Sequence, residues 1–137
     1  MWIYNGREIT DEDLVGFEAF VYCITNLIDG RQYIGKKRLK FLRRKSVAGK
    51  KRKIKTSTDS DWKIYYGSSA ELIADVARLG SENFRREIIR LCKTKSESNY
   101  YELKEQVMRD VLLHPDQYYN SFVGTKIHRK HMLRSSK

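Results

Sequence analysis

The chain has 137 residues, 40% of them hydrophobic, which suffices for one modest core and predicts a single domain. Its formal net charge is +11 at pH 7, so a polyanionic partner is expected ahead of an acidic or apolar one. No apolar run approaches a membrane span, and acidic side chains stand where a signal peptide has its basic start and apolar core, so a soluble, cytoplasmic protein is expected.

In chain order, residues 2–4 read as a short strand, and Thr10-Asp11-Glu12-Asp13 has helix-start chemistry ahead of Leu14 and Val15. Residues 20–25 and 31–37 are β-branched and aromatic runs around a turn containing Asp29-Gly30, the pattern of a hairpin. Whether the two-residue loop is Asp29-Gly30 or Leu27-Ile28, the period of two places Tyr22 and Tyr33 on one sheet face. Segment 62–67 leads into a first helix over 69–79, which opens on the capping box Ser68-Ser69-Ala70-Glu71 and carries Leu72, Ile73, Val76 and Leu79 at helical spacing before Gly80. Residues 84–92 read as a third strand. Thr94-Lys95-Ser96-Glu97 is a second capping box, and Tyr100, Leu103, Val107 and Val111 form an apolar stripe on the helix that His114-Pro115 ends. The expected fold is α+β, a small three-stranded antiparallel sheet flanked by helices. A basic insert of about 38–61 follows the hairpin; 1–18 form an N-terminal extension, 19–122 the domain and 123–137 a basic tail. Cys23 and Cys92, far apart and outside any Cys-x-x-Cys pattern, read as two buried, reduced thiols.

The charge excess has one source. Residues 30–58 contain thirteen Lys and Arg and no acid, and the other fifteen bases face seventeen acids. A like-charged run is compatible with a solvated, disordered arm. Interleaving of Phe41, Leu42, Val47, Ile54 and Trp62 with the bases favours a phosphate-backbone binder.

The order hairpin, helix, strand, helix, with Tyr22 and Tyr33 separated by ten residues, resembles the GIY-YIG nuclease superfamily. Tyr33-Ile34-Gly35 matches its second motif in full. Phe20-Val21-Tyr22 stands where Gly-Ile-Tyr is usual and keeps the tyrosine, and Tyr119-Asn120 looks like the pair that closes such domains. The resemblance implies DNA as partner, phosphodiester hydrolysis, a divalent cation such as Mg²⁺, and a small phage-encoded enzyme of the homing or mobility type acting in the cytoplasm of a bacterial host.

By that resemblance Tyr22 or Tyr33 helps to activate water, an arginine contacts the phosphate and a glutamate of the late helix holds the metal. Hydrolysis of a phosphodiester needs these same functions. Arg43 is the candidate arginine, eight residues beyond Gly35 where members place it on a helix, with Arg44, Lys36 and Lys37 as other sources of the cation. Glu102 is the candidate metal ligand and Glu105, one turn on, its rival. Lys36, Lys37 and Arg38 close behind Tyr33 are expected to lower the phenol's pKa. Nucleic-acid contact is expected of Gly35, Lys36, Lys37, Arg38, Arg44, Lys50, Lys51, Arg52, Lys53 and Asn120, Asn120 alternatively making only a turn. The bland competitors are strand packing for the tyrosines, a strand-end role for Gly35 and a surface ion pair for Glu102. His114, His128 and His131 lack metal-ligand spacing. Nothing after Asn120 is long enough for a separate recognition module, so site selection falls to the basic arm, to the partner in a homodimer, or is loose. The alternatives are a binding module that has lost its chemistry, suggested by the missing Gly-Ile, and a repair or restriction nuclease.

Overall fold

The computed structural model describes residues 1–46, 53–124 and 127–129. Its centre is the hairpin of β3 (Ala19–Asn26) and β4 (Gln32–Arg38). Tyr22 pairs with Gly35 and Ile24 with Tyr33, a register midway between the two expected, and the loop spans four residues, 27–30. The parity argument is unaffected, and both tyrosines lie on one face. β7 (Phe84–Cys92) joins β3 antiparallel, completing the expected three strands.

The sheet itself is larger than expected, with five strands of mixed direction. β1 (Trp2–Tyr4) runs parallel to β7, and β2 (Arg7–Glu8) turns back antiparallel on β1. A parallel partner more than eighty positions away leaves no local pattern, so the three-stranded expectation missed it. Trp2 nevertheless fills the core at 2% exposure, its ring 5.0 Å from Phe20, and its indole N–H donates to the Trp62 carbonyl at 2.7 Å. The expected helix start at Thr10 is a single 3₁₀ turn, Glu12–Leu14, steadied by reciprocal hydrogen bonds between Thr10 and Asp13.

Every residue of β3 is buried because both sheet faces are covered. Phe20, Tyr22 and Ile24 pack with Trp2, Trp62 and Leu72 on the side of α1 (Ala70–Leu79). Val21, Cys23 and Ile34 pack with Cys92, Val111 and Leu112 on the side of α2 (Lys95–Met108). The cysteines are free thiols, and burial pushes that of Cys92 up to about 11.

Helix α1 ends as expected, with Gly80 at φ +93° accepting the turn that an L side chain resists. At its start Ser69 rather than Ser68 is the cap, accepting from the Leu72 amide at 3.3 Å. Thr94 caps α2, but this helix ends at Met108, ahead of a left-handed Asp110, and Val111 falls in a separate 3₁₀ turn. The expected apolar stripe does not face the core: Tyr100, Leu103 and Val107 are exposed, and Ser98 and Gln106 are buried. The inward face of α2 meets the outer edge of β4, where the Gln106 amide donates to the Ile34 carbonyl at 3.0 Å, a contact that an apolar side chain could not supply.

The basic insert forms a two-stranded antiparallel ribbon, β5 (Lys40–Ser46) with β6 (Lys53–Asp59), in continuous register from Lys40↔Asp59 to Ser46↔Lys53. At about 3.3 Å per residue each strand is about 20 Å long. Its base is tied to the core through the Leu39 amide on the Glu18 carbonyl at 2.8 Å and the Ser60 amide on the Leu39 carbonyl at 2.9 Å. A short hairpin, β8 (Phe122–Val123) with β9 (Ile127–His128), closes the described chain. Among the described residues no helix is long and apolar enough to cross a membrane.

Candidate active site

An edge strand leaves half of its backbone donors and acceptors unpaired. On β4 the segment around Tyr118 supplies the partners: the Gln32 amide donates to the Gln117 carbonyl at 2.9 Å, and the Tyr119 amide to the Gln32 carbonyl at 2.8 Å. Asn120 completes the strap, its Oδ1 accepting from the Ile34 amide at 3.0 Å and its Nδ2 donating to the Ile34 carbonyl at 2.8 Å. Gln106 of α2 donates to the same carbonyl at 3.0 Å. Asn120 is 2% exposed with both ends of its amide occupied, so the expected nucleic-acid contact is corrected to a structural strap.

Beside the strapped edge opens a cavity of about 250 Å³ lined by Tyr33, Lys36, Ser68, Glu102 and Tyr119 among others. Alternation along β4 sends Tyr33 to the α1 side and Lys36 to the α2 side, so the cavity wraps around the strand's edge. The Tyr33 hydroxyl lies 2.9 Å from Ser68 Oγ.

Tyr22 stands behind Tyr33, ring centroids 6.1 Å apart, and is 1% exposed. Its phenol lies across Gly35: a Cβ there would fall 2.5 Å from the Tyr22 oxygen and 2.9 Å from Tyr33 Cε2. The missing side chain therefore seats a tyrosine.

Burial raises the pKa of both phenols, their phenol neighbours (Tyr33 and Tyr65 for Tyr22, Tyr65 for Tyr33) add to the shift and Glu102 contributes less, while Ser68 acts in the opposite direction on Tyr33. The expected lowering by Lys36, Lys37 and Arg38 is thus overturned. Lys36 points to the other sheet face. The Lys37 ammonium sits 2.5 Å from Asp61 and 4.0 Å from the Tyr65 ring centre, its side chain 13% exposed, so a contact with DNA would require it to leave this ion pair. Arg38 ends β4 half-exposed, its carbonyl accepting from Ser60.

Glu102 reaches the cavity from α2 with its side chain 16% exposed and 3.8 Å from the Lys36 ammonium. Burial raises its pKa and Lys36 opposes the shift. Glu105 is held by Arg109 at 3.0 Å and does not line the cavity. Arg43 lies in β5 opposite Thr56, on a strand and not a helix, and Arg44 lies opposite Lys55. Lys53 opens β6, and Lys50, Lys51 and Arg52 lie outside the described residues. Of the expected cations among the described residues, Lys36 is the one that lines the cavity.

Several participants had escaped the sequence reading. The Tyr119 hydroxyl donates to Asp75 at 2.7 Å, accepts from Asn26 at 3.0 Å, and its ring carries the Arg31 guanidinium at 4.1 Å. Arg31 also pairs with Glu71 at 2.6 Å and Asp75 at 2.9 Å, tying β4 to α1. These contacts hold the Asp75 carboxyl below the usual carboxylate range, the Tyr119 hydroxyl first among them. An available signal was Asp75 itself, an acid on the helix face shared by Leu72 and Leu79.

Among the described residues no three His, Cys, Asp or Glu side chains cluster as a metal cage. Glu102 is the single carboxylate lining the cavity, and Gln106 Oε1, one turn further along α2, is buried without a partner. A lone carboxylate beside a polar acceptor fits a cation that keeps most of its water, as Mg²⁺ does.

Comparison with known proteins gives a concordant result. Residues 2–123 match the family model described as "Putative endonuclease segE, GIY-YIG domain". The protein of that description from Enterobacteria phage T4 is 33% identical over 105 residues, 77% of this chain and 41% of the relative. The chain thus spans less than half the length of that relative. No solved structure matches.

Proposed function

The chain belongs to the segE-type GIY-YIG family, and on that membership we propose that it is a divalent-metal-dependent endonuclease that hydrolyses DNA phosphodiester bonds in the cavity beside β4. The observation that carries the reading is the convergence of the Tyr33 phenol, the Lys36 ammonium and the Glu102 carboxylate on one cavity.

In this reading Tyr33, the cavity-lining phenol, orients the attacking water and accepts its proton, while buried Tyr22 supports it from behind. Burial favours the protonated phenol, so Tyr33 must first release its proton to solvent as the cation and DNA arrive, and only the resulting phenolate accepts the proton of the attacking water. Lys36 neutralises charge on the phosphoryl oxygens as the transition state forms. Glu102 would hold a hydrated divalent cation, which would supply further charge neutralisation to the transition state. The β5–β6 ribbon, with the basic residues between its strands, tracks the DNA: a two-stranded ribbon has the width to enter a major groove, and its Lys and Arg neutralise phosphates. Arg43 and Arg44 belong to this contact. The phage relative, "Putative endonuclease segE", supports the nuclease reading; the role proposed for this chain is homing or mobility, with the ribbon or the partner in a homodimer selecting the site.

The alternative, a binding module without chemistry, was suggested by Phe20-Val21 in the first motif. Both side chains are fully buried, Phe20 against Trp2 and Trp62, and neither lines the cavity. The departure is a repacked core and leaves the candidate site intact. Supercoiled plasmid incubated with the protein decides between the readings: nicking or linearisation in Mg²⁺ that stops in chelator is expected. DNA bound but uncut in both Mg²⁺ and Mn²⁺ would establish the binding module.

A further inference from the structure

Ser68 stands at the threshold of α1 without being needed to build it. The capping oxygen is that of Ser69, which accepts from the Leu72 amide at 3.3 Å. The Ser68 hydroxyl instead reaches 2.9 Å from the Tyr33 phenol oxygen. Gly67, at φ +87°, makes this approach possible: a Cβ added there would lie 3.3 Å from two atoms of the Tyr33 ring and 3.0 Å from Leu72. The 67–68 backbone therefore cups the ring below while the hydroxyl meets its tip.

Both partners are anchored independently. Tyr33 is fixed by the β3–β4 ladder, and α1 is fixed by the buried Leu72 and by Arg31, two residues before Tyr33, on Glu71 and Asp75. Packing alone sets the plane of the Tyr33 ring. The position of its oxygen and the direction of its O–H depend on what the hydroxyl meets, and a serine can donate to or accept from it as the phenol's charge changes.

We propose that Ser68 is a positioning residue for the reaction, acting through Tyr33 by holding its phenol oxygen at the cavity wall. This rests on the proposed role of Tyr33. A residue that acts only through another loses its effect once that other is removed, so a double-mutant cycle isolates it.

The test uses the full chain carrying Ser68→Ala, Ser68→Thr, Tyr33→Phe and the Ser68→Ala/Tyr33→Phe pair, with single-turnover plasmid cleavage in Mg²⁺, DNA affinity and thermal unfolding measured on each. Ser68→Ala is expected to slow cleavage about tenfold with DNA affinity and unfolding midpoint unchanged, Ser68→Thr to restore most of the rate, and the alanine to add nothing in the Tyr33→Phe background. A full-size additional loss in that background, or a Ser68→Ala rate equal to wild type, overturns the proposal. Wild-type cleavage by Tyr33→Phe alone would instead sink the reading of Tyr33 and the proposal with it. A second readout needs no turnover: the Tyr33 ring Cζ resonance, assigned through Tyr33→Phe, is expected to move in Ser68→Ala and return in Ser68→Thr. A resonance that stays put overturns the proposal however the cleavage assay comes out.

Discussion

Gly35→Ala is expected to abolish cleavage and to destabilise the protein by about 1 to 3 kcal/mol, the range for forcing volume into a packed core. A new methyl would sit 2.5 Å from the Tyr22 oxygen and 2.7 Å from Tyr22 Cζ, the rigid end of an aromatic ring. The ring has nowhere to retreat, with Trp2 at 5.3 Å, Tyr65 at 6.0 Å and Tyr33 at 6.1 Å between centroids. Relief requires opening the Tyr22–Gly35 pair in the ladder, which displaces Tyr33 two residues away. Urea unfolding together with the plasmid assay checks this; an alanine variant as stable and as active as wild type would mean that the glycine does not seat the tyrosine.

Tyr33→Phe should behave differently, slowing cleavage by about 10² to 10⁴-fold, the range for losing a positioned proton-transfer group. The fold should lose no more than about 1 kcal/mol, because Tyr33 is only half-buried and its side-chain hydrogen-bond partner Ser68 is exposed and can turn to water. The ring and its packing on Gly67 remain. Comparing single-turnover rates and unfolding midpoints separates this result from that at Gly35: a phenylalanine variant cutting within about threefold of wild type would remove Tyr33 from the chemistry.

The parts of the molecule legible in the sequence are those specified over short distances. The period of two in the hairpin put Tyr22 and Tyr33 on one face whatever the loop, and Thr94 and Gly80 marked helix ends through chemistry confined to one turn. What escaped was set by partners far along the chain. β1 depends on a parallel neighbour in β7, and the β5–β6 ribbon is so charged that its ladder is hidden beneath a pattern typical of a solvated arm. The apolar stripe of α2 misled for a definite reason: the edge of β4 needs Gln106 and tolerates Glu102, so the helix turns its polar face inward and exposes Tyr100 and Val107.

Electrostatics failed in the same way. Lys36 and Lys37 are neighbours of Tyr33 in sequence, yet alternation carries Lys36 to the other face, and Asp61 engages Lys37. What surrounds the phenols is apolar packing first, then neighbouring tyrosines, with Glu102 behind them, and all three raise their pKa. Asn120 was marked by its position after Tyr119, but its function as a strap on Ile34 could be seen only once the segment lay along β4.

If Glu102 serves chemistry and not DNA binding, one paired measurement separates the two. Purified wild type and Glu102→Gln are compared for plasmid cleavage in Mg²⁺ and for affinity on the same DNA. The glutamine keeps the size of the side chain and removes the charge through which a cation would be held. Cleavage should fall by at least about 10²-fold, the scale for losing a transition-state charge contact, while DNA affinity stays level or tightens slightly as a negative charge leaves a basic site. Mg²⁺-dependent cleavage by Glu102→Gln within a few-fold of wild type would contradict the account.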